Sequence, residues 1–283
     1  MTPGYRLLPI VCIPAGVVGG VVMMRHGVAR SRVAIHLASL AIGVALALSV
    51  RTIGEKRLQR VAPFASVAAI ACLLATLLGD GLLGVHRWLT PGSIQLQVSS
   101  LAASPLVLIG AAAWWSRGAR WQAAALILSA QIAHTLQPDA GQSTALAIGA
   151  IAGVVRSDAS RGLRTAGSVA LAGSVLPAWM RADPLPAVRS VEGIVGLARE
   201  LGLAWWALAI VSLGLVPLAM AVAVRGTKSN DAFGRSTRLA LTAYVTATVL
   251  VPIVGNFPVP VLGFGVSPMC GVAVCIGVVS VLS

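Results

Sequence analysis

The chain has 283 residues, 57% of them hydrophobic and only 10% charged, with a mean hydropathy of +0.90. A soluble domain carries about 25% charged residues, and no stretch here is long or polar enough for a separate soluble unit, so the expectation is an all-α, polytopic transmembrane helix bundle forming one integral membrane domain over 1–283. The formal net charge of +13 does not point to nucleic acid: the basic residues sit in short loops between apolar runs, where topology and attraction to anionic lipids account for them.

Apolar runs bounded by arginines fall at roughly 7–24, 33–50, 61–78, 101–115, 122–136, 140–155, 165–180, 201–224, 239–254 and 267–283, which predicts about ten spans. Polar and apolar residues alternate too rarely for a barrel. With the N-terminus inside, the inner segments hold Arg6, the 51–60 loop, Arg117 and Arg120, the 156–164 loop, and Arg225, Lys228, Arg235 and Arg238. They carry about twice as many basic residues as the outer segments, which predicts N-in and C-in; the basic loop 25–32 runs against this assignment. The acids then divide: Glu55, Asp158 and Asp231 lie inside, whereas Asp80, Asp139, Asp183, Glu192 and Glu200 lie outside. The two longest outer connections, 79–100 and 181–200, share that face, so the outer face is the expected working surface.

The first run is expected to be a span rather than a cleaved leader, because only Arg6 precedes it and no convincing small-residue cleavage site follows. Its Gly16 and Gly20 form a GxxxG pattern that needs only close helix packing. Cys12, Cys72, Cys270 and Cys275 all lie in apolar stretches without a CxxC pair and read as small buried hydrophobes. In the outer loop 79–100, Trp88 is a ring suited to the headgroup level. Arg87 beside it offers a fork of donors matched to phosphate oxygens. An interface anchor with a lipid-facing arginine explains the pair as well. His86 carries no metal signal, having no second ligand at coordinating spacing.

The longest apolar run, 121–155, would extend about 50 Å as one helix, against a hydrocarbon core of ~30 Å. It is interrupted at Gln137-Pro138-Asp139-Ala140-Gly141, where the proline removes a donor and disfavours helix at Gln137. Two short helices meeting at a polar break are predicted. Asp139 there either caps the second helix at the membrane surface or serves a functional site facing a cavity or partner. Gln131 and His134, three apart, share a face just before the break and are expected to point into the bundle. In 181–200, Pro184 and Pro186 are expected to start a helical stretch in which Arg189 and Glu192 pair, and Glu192, Gly196 and Glu200 share a face. The last outer loop, 255–268, is rich in proline and glycine and is predicted to be non-helical or re-entrant.

Four outer segments, in order, resemble the SEDS family of shape, elongation, division and sporulation proteins (the FtsW/RodA/SpoVE group). Residues 84–103 resemble its GAxRW…QPSELAK segment, 137–145 its QPDLGTA, 185–203 its LPExHTDFIFAVIAEELGL, and 256–268 its GIPLPFISYGGSS. On the inner side, Asp231-Ala232-Phe233-Gly234-Arg235 resembles the short motif before the family's ninth span. The resemblance implies a shortened, divergent relative in the bacterial inner (plasma) membrane, acting in cell division or cell shape. The implied activity is that of a glycosyltransferase polymerising an undecaprenyl-linked peptidoglycan precursor, with a monofunctional transpeptidase as an implied partner. Carried over residue by residue, it marks Arg87, Trp88, Gln97, Gln137, Asp139 and Ser267 as substrate-binding positions and Glu192 as the candidate base. No cofactor is implied, and a divalent cation is left open. Val191 stands where the family's catalytic Asp stands, with Glu192 next to it. Val98, Ser100 and Ala103 replace the Pro, Glu and Lys of the QPSELAK segment, and Ala187 and Arg189 the Glu and His of LPExH. A non-catalytic relative that binds precursor or docks a partner is therefore the alternative. A small transporter with a midplane site at Asp139 and His134 is a second, on the residues alone.

Overall fold

The computed structural model describes residues 8–92, 94–227 and 231–283, and each of the ten apolar runs contains helix. Arg6, Leu7 and Lys228, used above for topology, lie outside the described residues. The helices are α1 (Ile13–Arg25), α2 (Arg30–Val50), α3 (Glu55–Ala75), α4 (Ser104–Ser116), α5 (Arg120–Leu136), α6 (Ala140–Val155), α7 (Arg161–Gly173), α8 (Leu176–Trp179), α9 (Ile194–Glu200), α10 (Leu203–Gly226), α11 (Ala232–Leu250) and α12 (Val266–Leu282). Between α3 and α4, β1 (Trp88–Leu89) and β2 (Leu96–Gln97) pair antiparallel, with Trp88 opposite Gln97. A π-helical turn, Ser99–Ala103, then leads into α4.

Six segments among the described residues are long and apolar enough to cross a bilayer: Leu8–Arg25, Arg30–Val50, Glu55–Leu78, Ser99–Ser116, Leu203–Gly226 and Ala232–Ile253. The chain is thus a multi-pass helical membrane protein. Ala140–Val155 and Val266–Leu282 are apolar but shorter. Side-chain caps set several starts: Asp139, Ser160 and Asp231 each accept a backbone N–H from three residues ahead, opening α6, α7 and α11.

The most extensive packing joins α6 to α11, α12 to α2 and α3 to α4. Small residues make these approaches possible. A Cβ on Gly271 of α12 would lie 1.8 Å from the Ser100 carbonyl oxygen, and one on Gly19 of α1 would lie 2.0 Å from that of Leu262. Gly16 and Gly20 meet Leu40 and Leu37 of α2, which is the close packing that the GxxxG pattern predicts. Three of the cysteines are buried, but Cys72 is exposed. On α3 the buried stripe runs Leu58, Ala62, Ser66, Ala69, Leu73, and Cys72 lies off it.

The predicted 255–268 loop is non-helical as far as Gly265, with Val266, Ser267 and Pro268 already in α12, and its Val259, Val261 and Leu262 are buried. Its backbone avoids orphaned donors by pairing with the outer connection: Val259 N–H donates to Val191 O (3.3 Å) and Phe264 N–H to Ser190 O (2.8 Å). The 181–200 connection departs from expectation. Pro184 and Pro186 start no helix, because each lacks a donor and holds its predecessor extended. Instead the N–H groups of Val191, Glu192 and Gly193 all converge on Val188 O, closing a turn, and α9 starts only at Ile194. Glu192 therefore shares no helix face with Glu200, and Arg189 pairs with Glu200 rather than with Glu192.

Candidate functional site

The polar break between α5 and α6 is the centre of a buried hydrogen-bonded assembly. Asp139 is 2% exposed. Its Oδ1 accepts the Gln142 N–H (3.2 Å), the N-cap bond of α6, and its Oδ2 accepts from Gln97 Nε2 and Ser99 Oγ, both at 3.1 Å. Asp139 thus caps α6, in a buried setting rather than at the membrane surface, and the same side chain joins the break to the 84–103 segment. Gln97 is fixed twice more: its N–H donates to Ser267 Oγ (2.9 Å), and its Oε1 accepts from Ser100 Oγ (3.0 Å).

Arg87 is buried behind the break. Its Nε donates to Gln137 O (3.0 Å), while Nη2 reaches Pro138 O and the Asp183 carboxylate (2.7 Å). The guanidinium holds the turn that carries Asp139, and is not a lipid-facing anchor. The Gln137 side chain points the other way and donates to Leu73 O (3.0 Å) and Thr76 Oγ1 (2.6 Å), strutting the break against α3. Trp88, half-buried, lies opposite Gln97 in the hairpin. Arg87, Gln97, Gln137, Asp139 and Ser267 are therefore brought into one assembly.

Glu192 stands at its edge. Its Oε2 accepts the Val188 N–H (2.7 Å) inside its own turn. Burial pushes its carboxyl above the ordinary value; the Val188 bond and a second backbone N–H pull it down, and Asp183 adds a further rise that Arg87 opposes. The carboxyl thus feels the Arg87–Asp183 pair, although it does not line the Asp139 pocket.

That pocket is bounded by Gln97, Ser100, Asp139, Gln142, Tyr244 and Phe257, and it is closed down to about 30 Å³. A water needs ~10–15 Å³ on this measure, so it holds a couple of waters and no sugar ring. Deeper in the bundle, Gln142 Oε1 accepts from Tyr244 OH (2.8 Å) and Ser104 Oγ (3.2 Å), and Ser104 Oγ also meets His134 Nε2 at 3.3 Å. Gln131 exchanges two bonds with Ser143. Gln131 and His134 do point inward, and interhelical hydrogen bonds account for them. Among the described residues, no three His, Cys, Asp or Glu side chains gather closely enough to hold a metal ion.

Ser100 and Ala103, where the resembled segment has Glu and Lys, are both buried. Sequence reasoning misses Asp183, Ser99, Gln142 and Tyr244 as members of the assembly, and no spacing rule links Asp183 to an arginine 96 residues away.

No protein-family model and no curated protein sequence matches the chain. Solved structures do. The crystal structure of the Thermus thermophilus rod shape determining protein RodA matches with a TM-score of 0.74 at 18% identity, over 97% of this chain and 94% of that one. A point mutant of the same protein matches at 0.75 and 18%, over 97% and 95%. A chain from a structure described as the structural coordination of polymerization and crosslinking by a peptidoglycan synthase complex matches at 0.76 and 18%, over 97% and 96%. Over nearly its whole length, this chain has the fold of RodA.

Proposed function

We propose that the chain is a divergent SEDS protein of a bacterial plasma membrane: a single integral domain with about ten crossings and both ends inside. At its outer end it binds an undecaprenyl-linked peptidoglycan precursor without polymerising it. The RodA-like fold and the four ordered segments support the assignment. The observation that carries the non-catalytic reading lies at positions 191 and 192. Val191 occupies the place of the family's catalytic carboxylate, and the neighbouring Glu192 turns its carboxylate back onto Val188 N–H at 2.7 Å. Arg87, the cation whose charge acts on Glu192, is already engaged by Gln137, Pro138 and Asp183, so offsetting a pyrophosphate with it would require breaking that set. A misplacement of ~1 Å can cost ~100-fold in rate. Binding needs no resident cofactor. A monofunctional transpeptidase is the proposed partner, by analogy with the synthase complex of the same fold.

A second reading is favoured by one observation, the upward displacement of the Glu192 carboxyl, which suits a general base. Glu192 would take the proton of a sugar hydroxyl as that oxygen attacks the anomeric carbon and undecaprenyl pyrophosphate leaves. Purified protein in vesicles, given lipid-linked disaccharide-peptide precursor, separates the readings. Saturable binding with no glycan chains, from wild type and Glu192→Gln alike, is expected. Chains made by wild type and lost in Glu192→Gln would establish the enzyme instead, and absence of binding would refute both.

A further inference from the structure

A hollow much larger than the Asp139 pocket lies at the other end of the bundle, and nothing in the proposed function uses it. It encloses about 660 Å³ between the distal halves of α4, α5 and α6, the face of α7 and the start of α11. Its walls are almost wholly apolar, supplied by residues such as Leu108, Ile127, Leu163 and Leu171. One wall is unusual: α7 packs along α6 but not closely on α5, and none of its residues is buried. A cavity of this size matches the ~300–1,000 Å³ of small-molecule sites. In a bilayer the molecules available to fill an apolar hollow are lipid chains, and leaving it to water forfeits the burial of its walls.

The mouth supplies the second half of the argument. Arg120 and Trp121, at the start of α5, both line the hollow. The Arg120 guanidinium lies 5.8 Å from the centre of the Trp115 ring, and Trp121 is 87% exposed, as befits a ring at headgroup depth. Arg117, Arg156, Arg161 and Arg164 belong to the same end; of the acids there, Asp158 is paired with Arg235, and Glu55 and Asp231 lie together beside Gly234 at the start of α11. This end therefore carries more arginines than acids, and Arg120, the charged residue of the lining, presents a planar donor fork above an apolar slot.

We infer that this hollow is a binding site for an anionic glycerophospholipid, with one acyl chain inserted between α5 and α7 and the phosphate held at Arg120. The occupant is fixed by two properties together. The slot selects a hydrocarbon chain, and the basic rim selects a negative headgroup over a zwitterionic one. The site is independent of precursor binding, since it shares no lining residue with the Asp139 pocket.

The test is native mass spectrometry of the full chain in detergent, titrated with phosphatidylglycerol or phosphatidylcholine of matched chains. Wild type is expected to retain one phosphatidylglycerol in preference to phosphatidylcholine. Arg120→Gln should lower that preference about fivefold, the effect of one arginine near an anionic surface, and Arg120→Lys should keep most of it. Gly167→Leu fills the slot. A Cβ there meets only Val154, at an ordinary 3.7 Å, so the fold tolerates the change, checked by an unaltered unfolding temperature. It should reduce retention of both lipids. Equal retention of the two lipids by wild type, an undiminished preference in Arg120→Gln, full retention in a folded Gly167→Leu protein, or preferential uptake of a polyprenyl phosphate would each overturn the assignment.

Discussion

Replacing Asp139 tests whether the break is held as described. Asp139→Ala removes, at a site 2% exposed to solvent, the acceptor of the Gln142 N–H, the Gln97 amide and the Ser99 hydroxyl. Loss of an N-cap costs about 1 kcal/mol, and each buried donor left unpaired costs about 1–3 kcal/mol. Since relaxation and a water in the adjoining pocket recover part of this, a net destabilisation of about 3–5 kcal/mol is expected. Asp139→Asn should behave differently. Asparagine caps a helix as well as aspartate does, so its oxygen keeps the Gln142 bond and its NH2 faces Gln97 and Ser99. If the Gln97 amide flips, its oxygen accepts from the introduced NH2, its nitrogen donates to Ser100 Oγ, and Ser99 Oγ turns acceptor, so that both amides stay satisfied. The cost should fall to about 1–2 kcal/mol, the loss of charge assistance alone. Unfolding by a denaturing detergent in mixed micelles measures both variants against wild type. The account of the site fails if Asp139→Ala lies within about 1 kcal/mol of wild type, or if the asparagine variant is as damaging as alanine.

Arg87→Ala should cost about 2–4 kcal/mol, because it orphans the Gln137 and Pro138 carbonyls. Asp183→Ala, removing a partner that is 31% exposed, should cost only about 1 kcal/mol in the same assay. Gly19→Ala places a methyl 2.0 Å from the Leu262 oxygen and should destabilise by about 1–3 kcal/mol, with protease sensitivity rising in the 254–265 loop. The Glu192 carboxyl titrates above its ordinary value in the folded protein, so the folded state binds the extra proton. Stability from this group is full below the ordinary value and is lost as pH rises through the displaced one. Glu192→Gln should therefore match wild type in acid and exceed it at neutral pH, as read from unfolding temperatures. Glu200 behaves oppositely: its hydrogen bond with Arg189 holds it below the ordinary value, so that contribution disappears on acidification, and Arg189→Ala should shrink the difference to the part that His26 supplies.

The helical runs and the break at 137–141 are legible in the sequence because they rest on local chemistry: apolar length, a proline without a donor, and an aspartate able to cap. The same locality explains why the inward face of Gln131 and His134 follows from their spacing. What the sequence does not disclose depends on distant partners. Nothing near Asp183 indicates that it reaches Arg87, and nothing near Ser267 indicates that it holds the Gln97 backbone. The helix expected from Pro184 does not form because the two prolines hold the chain extended until Val188 O gathers three donors. Cys72 reads as a core residue from its apolar neighbours, whereas its position one step off the α3 stripe decides its exposure.

The bond from Gln97 to Ser267 spans 170 residues, and the 254–265 loop rests on Gly19 of the first helix. During synthesis the early helices enter the membrane long before either contact can form. The wall of the outer pocket is consequently missing until the hairpin of α11 and α12 has been inserted, and Gln97 stays loosely held until then. A nascent chain stalled before residue 254 would carry the acid of the break with one side of its enclosure absent. Completion of the outer end is thereby tied to insertion of α12, which carries Ser267 to Gln97.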